Sequence, residues 1–179
     1  METYLMVEAR SAEEDLDIDL DLAEIMEEYA NRIVKYCYNL LWNFHDAQDA
    51  AQEVFLRAAE KMDQLRNSGS AAPWLYRIAY NVCIDMLRRK KREYLFVRRE
   101  SVRQREEVHE DSYDYGISRE LQAAMDALNP KDRALVYSRV VDDMEYSQLE
   151  AIYGAKSAAL RKRYERALRK LAKRLKEGE

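Results

Sequence analysis

Residues 146–168, which read YSQLEAIYGAKSAALRKRYERAL, carry the pattern that decides the fold. Apolar residues recur at helical spacing through the first part of this stretch, and they stop at Gly154, a residue type that commonly ends helices. A second and longer helix with a basic face is predicted from Lys156 onward. A short helix, a glycine turn and a longer basic helix together indicate a helix-turn-helix.

Two further helices are predicted upstream of this motif. An apolar stripe that starts at Ile117 and ends at Leu128 indicates the first of them. Asn129 is predicted to cap the second, with Pro130 as its first residue. The sequence therefore predicts a helical C-terminal domain over residues 117–176.

Residues 22–93 are predicted to form a separate bundle of three helices. The first carries apolar residues at every third or fourth position from Leu22 to Phe44. Asp46 is predicted to cap the second helix, whose buried face is rich in alanine. The third helix is predicted to end in a run of basic residues that closes at Arg92.

The remaining segments complete an all-α organisation of two small helical domains. Residues 1–21 are predicted to be an acidic tail, and residues 94–116 a charged linker between the domains, of which the start could be helical. The chain has 179 residues with only four glycines and two prolines, which argues against an architecture of strands and turns.

The net charge of −4 conceals strong charge segregation. Residues 1–28 hold eleven acids and one base, whereas residues 86–105 hold nine bases and two acids. Residues 156–179 hold ten bases and three acids. Two basic blocks suggest two contact points on a polyanion such as a nucleic acid, although ordinary solvated helix faces would give the same pattern.

The sequence offers no candidate catalytic or metal site. Cys37 and Cys83 stand alone within apolar helical patterns and are expected to be buried, and His45 and His109 are isolated. We therefore expect no enzymatic activity, no cofactor and no metal. No apolar stretch approaches the roughly 20 residues that a bilayer requires, and no signal-peptide pattern is present. A cytoplasmic protein without membrane insertion is predicted.

Three helix faces are candidates for binding. In the second helix an acidic and amide face, with Glu60 at its end, lies opposite the alanines and is either a docking surface or merely solvated. In the third helix aromatic and basic residues share a face on which unpaired bases could stack, although Trp74 and Tyr80 could equally be core residues. The first turn of the last helix is where base edges are met in a major groove.

Four segments resemble the extracytoplasmic-function (ECF) sigma factors, the smallest class of the sigma-70 family. They are DAQDAAQEVFLR at 46–57, WLYRIAYN at 74–81, ALNPKDR at 127–133 and LRKRYERA at 160–167. The resemblance covers about residues 22–92 and 117–175 with the motifs in order. The chain departs from the family pattern at Ala50, Ala51, Ser138, Glu150 and Lys156.

The resemblance implies a fold, partners and site residues. The N-terminal domain would be a sigma region 2-like bundle and the C-terminal domain a sigma region 4-like helix-turn-helix. The partners would be core RNA polymerase, promoter DNA and an anti-sigma factor. Core-polymerase-binding residues would be Asp46, Asp49, Gln52 and Glu53. Residues that bind the −10 element would be Trp74, Arg77, Tyr80, Asn81, Arg88, Arg89 and Lys90. Residues that bind the −35 element would be Lys156, Ser157, Arg161, Lys162, Arg163 and Arg166.

The function implied is transcription initiation, with the loop 64–72 holding a flipped base of the −10 element. Two alternatives stay open from the sequence. One is a sigma-like mimic that sequesters an anti-sigma factor without using DNA. The other is a stand-alone helix-turn-helix regulator that binds duplex DNA without the polymerase.

Overall fold

A computed structural model describes residues 22–65, 71–100 and 119–177, and within these ranges the regular secondary structure is helical. The predicted all-α fold is confirmed. The predicted tail at 1–21 and most of the predicted linker lie outside the described residues. The helices are α1 (Leu22–Leu41), α2 (Phe44–Glu60), α3 (Ala71–Glu100), α4 (Arg119–Asp126), α5 (Pro130–Val140), α6 (Tyr146–Tyr153) and α7 (Ser157–Glu177), with a 3₁₀ turn at Met62–Gln64.

The first three helices form one bundle in which α1 packs against both α2 and α3. Ala47, Ala50 and Ala51 are buried on α2, so their small side chains allow the helices to approach closely. The predicted cap of α2 at Asp46 is wrong. Asn43 caps the helix, and its side-chain oxygen accepts from the backbone N–H of Asp46 at 2.9 Å.

Helix α3 is longer than the sequence pattern indicated. It runs to Glu100, so its predicted end at Arg92 is wrong. No glycine or proline lies between Arg92 and Glu100, and the residues there include several good helix formers. The basic run at 88–92 consequently lies in the middle of a continuous helix.

The C-terminal helices confirm most of the predicted boundaries. Asn129 caps α5 by accepting from the backbone N–H of Asp132 at 2.9 Å, and Pro130 is the first residue of that helix. Gly154 ends α6 in the left-handed conformation, with φ of 64°, which a residue without a Cβ adopts at little cost. Five residues that lie on the apolar stripes of these helices, and that the helical spacing predicts to be buried, are exposed instead. They are Met26, Ala59, Leu121, Leu168 and Leu175.

The two helical units pack against each other rather than standing apart. Helix α1 contacts α5, and α3 contacts α6. One hydrophobic cluster accordingly contains buried residues of both units, among them Tyr36 and Tyr76 from the first and Leu149 and Ile152 from the second. A smaller cluster around Met125 and Leu171 joins α4 to α7. Residues of α3 and α7 line a common groove with the start of α5.

Candidate functional site

The solvent-facing surface of α2 is a mixed polar and apolar ridge. Asp49 and Gln52 are exposed, and the partly exposed Glu53 forms an ion pair with Arg57 at 2.7 Å. Leu56 lies one further turn along and is 63% exposed. Because Asp49, Gln52, Glu53 and Leu56 are three or four residues apart, they share one face, which we call the α2 ridge. Leu56 is not among the residues predicted from the sequence, although its position seven residues after Asp49 places it on the same helix face.

Asp46 is not part of the α2 ridge. Its carboxylate pairs with the ammonium group of Lys90 on α3, and its side chain is only 19% exposed. The structure therefore brings together one residue predicted to bind polymerase and one predicted to bind the −10 element. The pair ties the start of α2 to the middle of α3.

The predicted −10 face of α3 is exposed along much of its length. Arg77, Asn81, Arg88 and Arg89 are exposed, and Arg88 forms a weak ion pair with Asp85 at 3.3 Å. Exposed surface pairs of this kind contribute little to stability, so the guanidinium groups are free to exchange partners.

The aromatic residues of α3 are less accessible than the cations. Trp74 is partly buried and packs against the hydrophobic core, and Tyr76 is wholly buried. The ring of Tyr80 lies edge-on to that of Tyr153 of α6, with 4.9 Å between centroids. This contact with α6 covers part of the Tyr80 ring, which is partly buried.

The start of α7 presents several exposed cations. Lys156, Lys162 and Arg166 are exposed, and the guanidinium carbon of Arg161 lies 4.8 Å from the centroid of the Tyr146 ring. A cation above an aromatic face in this geometry is held in place by the ring quadrupole.

Glu150 occupies the N-terminal end of α7. Its carboxylate accepts from both the backbone N–H and the hydroxyl of Ser157. These two hydrogen bonds lower the pKa of Glu150 below its ordinary value. Free N–H groups at a helix start attract anions, so Glu150 fills a place where a DNA phosphate could bind.

Arg163 is held within the C-terminal unit instead of extending into open solvent. It is partly buried and pairs with Asp132 near the start of α5. Beside this pair, a groove of about 740 Å³ runs between α3, α5 and α7. Arg88 of the predicted −10 set lines it together with Arg163 and Arg166 of the predicted −35 set.

A polar network lies between the two units. The hydroxyl of Tyr153 is 2.8 Å from the Ser138 hydroxyl and 3.2 Å from that of Tyr36. Burial raises the pKa values of Tyr36 and Tyr153, so both side chains stay neutral and act as hydroxyl groups. Ser138 departs from the leucine of the family pattern, and this network gives its hydroxyl a partner.

A charged contact adjoins this network. Arg32 of α1 donates to the carboxylate of Asp142, which follows α5, at 3.5 Å. The side chain of Asp142 is only 7% exposed, and burial raises its pKa against the opposing effect of Arg32.

Arg133 provides a second link between the units. Its Nη2 donates to the backbone carbonyl of Leu40 at 2.6 Å, and its Nη1 pairs with Asp126 at 3.1 Å. The guanidinium carbon lies 4.9 Å from the Trp42 ring centroid. Burial lowers the pKa of Arg133, but an arginine remains charged at neutral pH. The final residue of the ALNPKDR segment thus joins the two units.

The remaining predictions concern the loop before α3, metal binding and membrane insertion. The central part of the loop 64–72, which is predicted to hold a flipped base, lies outside the described residues. In the part of the chain that the structure describes, no group of three or more metal-ligating side chains is found. Over the same residues, no helix combines the length and apolarity that crossing a bilayer demands.

Both helical units are similar to parts of known proteins. The family model "Sigma-70 region 2" matches residues 25–93, and "Sigma-70, region 4" matches residues 118–171. The ECF RNA polymerase sigma factor SigE of Mycolicibacterium smegmatis is 31% identical over 156 residues, which cover 83% of this chain and 59% of SigE. SigW of Bacillus subtilis is 43% identical over 72 residues, which cover 40% of this chain and 38% of SigW.

The chain thus spans less than two thirds of the length of these two relatives. CarQ of Myxococcus xanthus, an RNA polymerase sigma factor, is 26% identical with 87% of this chain and 90% of CarQ covered. The sigma factor RpoE of Bartonella quintana, solved with the anti-sigma factor NepR, superposes with a TM-score of 0.71 at 19% identity. The superposition covers 86% of this chain and 96% of that one, and it shows a shared fold.

Proposed function

The chain belongs to the ECF sigma factors of the sigma-70 family, and we propose that it binds core RNA polymerase and directs it to promoters through separate −10 and −35 contacts. It would act in the cytoplasm as an initiation factor without enzymatic activity of its own. The observation that carries the proposal is the match of two sigma-70 regions, in order, to two helical units with exposed binding faces.

Polymerase docking is assigned to the α2 ridge. Its carboxylate and amide groups suit a basic partner surface, and Leu56 supplies an exposed apolar side chain next to them. An apolar anchor surrounded by polar groups is the usual anatomy of a protein–protein contact. Asp46 would support this surface indirectly, by fixing α2 against α3 through Lys90.

Promoter contacts are assigned to α3 and α7. The exposed Arg77, Asn81 and Arg88 on α3 suit an opened strand, because they combine charge for phosphates with an amide for base edges. On α7, Lys156, Arg161 and Lys162 lie near the end that would enter a major groove.

Binding both elements requires the two units to separate. The −10 and −35 elements are about 25 base pairs apart by definition, which is on the order of 85 Å at 3.4 Å per base pair. In the structure, Arg88 and Arg166 line the same groove. The 18 residues from 101 to 118 could span roughly 60 Å when extended, so they can supply most of this separation, and the widths of the two units supply the rest.

Run-off transcription with purified core polymerase tests the proposal. We expect promoter-specific transcripts, and we expect Glu53→Lys to weaken core binding more than Glu27→Lys, a matched charge reversal at an exposed position on α1. Arg88→Ala should lower promoter opening more than core binding, whereas Lys35→Ala on α1 should change neither. A purified chain with no affinity for core polymerase would overturn the proposal.

A second candidate function is sequestration of an anti-sigma factor without use of DNA. The position of Glu150 at the start of α7 favours it, because a carboxylate there opposes a DNA phosphate. The fold shared with RpoE, which was solved with NepR, supports an anti-sigma factor as a partner under either function. Robust promoter-specific transcription with core polymerase alone would exclude the second candidate.

A further inference from the structure

The groove between α3, α5 and α7 is lined mainly by cations. Six cationic side chains and one carboxylate face it, and that carboxylate, Asp132, is already paired with Arg163. The six are Arg88, Lys91, Lys131, Arg163, Arg166 and Lys170. Because they come from both helical units, the groove exists only while the units are packed together. Concentrating like charges in this way is unfavourable unless an anion offsets them.

Most of these cations have no acidic partner within the protein. Arg163 pairs with Asp132, and Arg88 pairs weakly with Asp85, which does not line the groove. The other four form no ion pair with any carboxylate among the residues that the structure describes. The pKa of Tyr80 shows that cations of both units act on one place, because burial raises this pKa and the guanidinium groups of Arg163 and Arg88 oppose the rise.

We propose that this groove binds a triphosphate group, of the kind carried by inorganic tripolyphosphate or by a nucleoside triphosphate, while the units are packed together. Arginine and lysine are the side chains that proteins use to bind phosphate, and a planar guanidinium can donate to two phosphate oxygens at once. A single phosphate would meet only part of a cation cluster that is spread over three helices. A chain of phosphates can contact cations on all three.

The size of the groove favours a small ligand over a DNA duplex. Its volume of about 740 Å³ falls within the roughly 300–1,000 Å³ that is typical of small-molecule sites. A duplex is too thick to enter such a space, since its major groove alone is about 12 Å wide. The buried Ile84 and the partly buried Leu87 and Pro130 also line the groove, so a nucleobase or sugar would find apolar atoms beside the cations.

A ligand of this kind holds the two units together. Because it binds only the packed arrangement, at a hundred times its dissociation constant it raises the ratio of packed to separated molecules about a hundredfold. The three arginines of the groove are then unavailable to DNA, a consequence that rests on the proposed function. The site itself does not rest on that function, because its three lysines lie outside the residues assigned to DNA.

Calorimetric titration of the full chain with tripolyphosphate tests the site directly. At low salt we expect one ligand per chain, bound about tenfold or more tightly than inorganic phosphate because more cations contact it. Lys91→Gln on α3 and Lys170→Gln on α7 should each weaken binding severalfold, although the two lysines belong to different units. Lys35→Gln and Lys61→Gln, at exposed positions outside the groove, are the matched controls and should have little effect.

Three titration results would overturn the proposal. Equal weakening by the groove variants and the controls would mean that the anion is attracted to cationic surface in general. An effect of Lys170→Gln without one of Lys91→Gln would place the anion on α7 alone. Tripolyphosphate that binds no tighter than phosphate would exclude a triphosphate site.

Titration with a nucleoside triphosphate distinguishes the two sources of the ligand. Tighter binding than that of tripolyphosphate would support a nucleotide, with the base against the apolar residues of the groove. Equal or weaker binding would support inorganic tripolyphosphate. Loss of nucleotide binding in Lys91→Gln is expected in either case, because both ligands present the same phosphates to the groove.

Hydrogen exchange tests the link between the ligand and the packing of the units. Helix α6 does not line the groove, but it packs against α3 of the other unit. Tripolyphosphate should therefore slow the exchange of α6 amides, whereas amides of α2, which packs within the first unit, should not change. Slowing that is confined to α7 would refute a ligand that holds the units together. Neither experiment uses polymerase or DNA, so failure of the proposed function would leave both readouts intact.

Discussion

The carboxylate of Glu150 caps the helix that begins at Ser157, accepting from both its backbone N–H and its hydroxyl. The family pattern has a small residue where Glu150 stands and a polar cap where Lys156 stands. The two departures are therefore connected, because the carboxylate supplies the cap that lysine cannot. The same contact places a negative charge at the end of α7 assigned to DNA.

We expect Glu150→Gln to tighten binding to duplex DNA. The amide can still accept from Ser157, but the charge that opposes a phosphate is gone. Titration of DNA at several salt concentrations measures the change in affinity. Glu165→Gln, which removes an exposed carboxylate of α7 itself, is the matched control. Unchanged affinity for Glu150→Gln would show that a phosphate does not approach this helix end.

The Glu150 cap should also survive mild acid. Because its pKa lies below the ordinary 4.5, the capping contribution to stability is present above 4.5 and is lost only as the pH falls through the lower folded value. Unfolding of the wild type and of Glu150→Gln at a series of pH values measures this. The difference between them should shrink below pH 4.5, and a difference that grows there would contradict the cap.

The contribution of Asp142 to stability should depend on pH in the opposite direction. Burial raises its folded pKa above 3.8, so the folded state binds the proton more tightly than the unfolded state. Its contribution to stability is greatest below pH 3.8 and falls as the pH rises through the folded value. Asp142→Asn should remove this fall without lowering stability at neutral pH, measured by urea unfolding. Strong destabilisation at pH 7 would mean that the Arg32 ion pair outweighs the cost of burial.

Tyr153→Phe should weaken the packing between the two units. It leaves the hydroxyls of Tyr36 and Ser138 without their shared partner, at a cost of about 1–3 kcal/mol when such groups remain buried. Small-angle scattering should show a larger radius of gyration for Tyr153→Phe than for the wild type. The control variant Tyr94→Phe, which changes an exposed residue, should show no increase. A compact Tyr153→Phe would show that apolar contacts alone hold the units together.

Arg133→Met should weaken the same interface between the two units at a second contact. The change removes the donor to the Leu40 carbonyl and the cation above Trp42, and the lost hydrogen bond alone costs about 1–3 kcal/mol if the carbonyl stays buried. Asp126 is 57% exposed, so water can replace its partner. Double-mutant analysis with Tyr153→Phe should show coupling, because both residues join the units. Simple additivity would place them in independent contacts.

Local signals explain what could be predicted from the sequence. Asn129, Pro130 and Gly154 act through their own backbone, so these features were confirmed. The apolar periods of α1, α2 and α7 predicted those helices, but Met26, Ala59, Leu168 and Leu175 on the same periods are exposed. The cap at Asn43 was missed because Trp42 adopts a left-handed conformation with φ of 52°, which the residue type does not indicate.

The packing of the two units could not be predicted in the same way. Tyr36 and Tyr153 are 117 positions apart, and no period or spacing links residues at such a separation. The roles of Ser138, Arg133 and Glu150 depend on this packing or on a turn between helices. The departures of Ser138 and Glu150 from the family pattern were visible in the sequence, but the partners that explain them were not.

Trp42, which lies beneath Arg133, also provides an intrinsic fluorescent probe of how the two units are arranged. The chain has only two tryptophans, and the buried indole nitrogen of Trp42 lies in a position that domain separation would expose to water. In a Trp74→Phe background, emission should therefore shift to longer wavelength when promoter or polymerase draws the units apart. The kinetics of opening could then be followed in real time without attaching a dye.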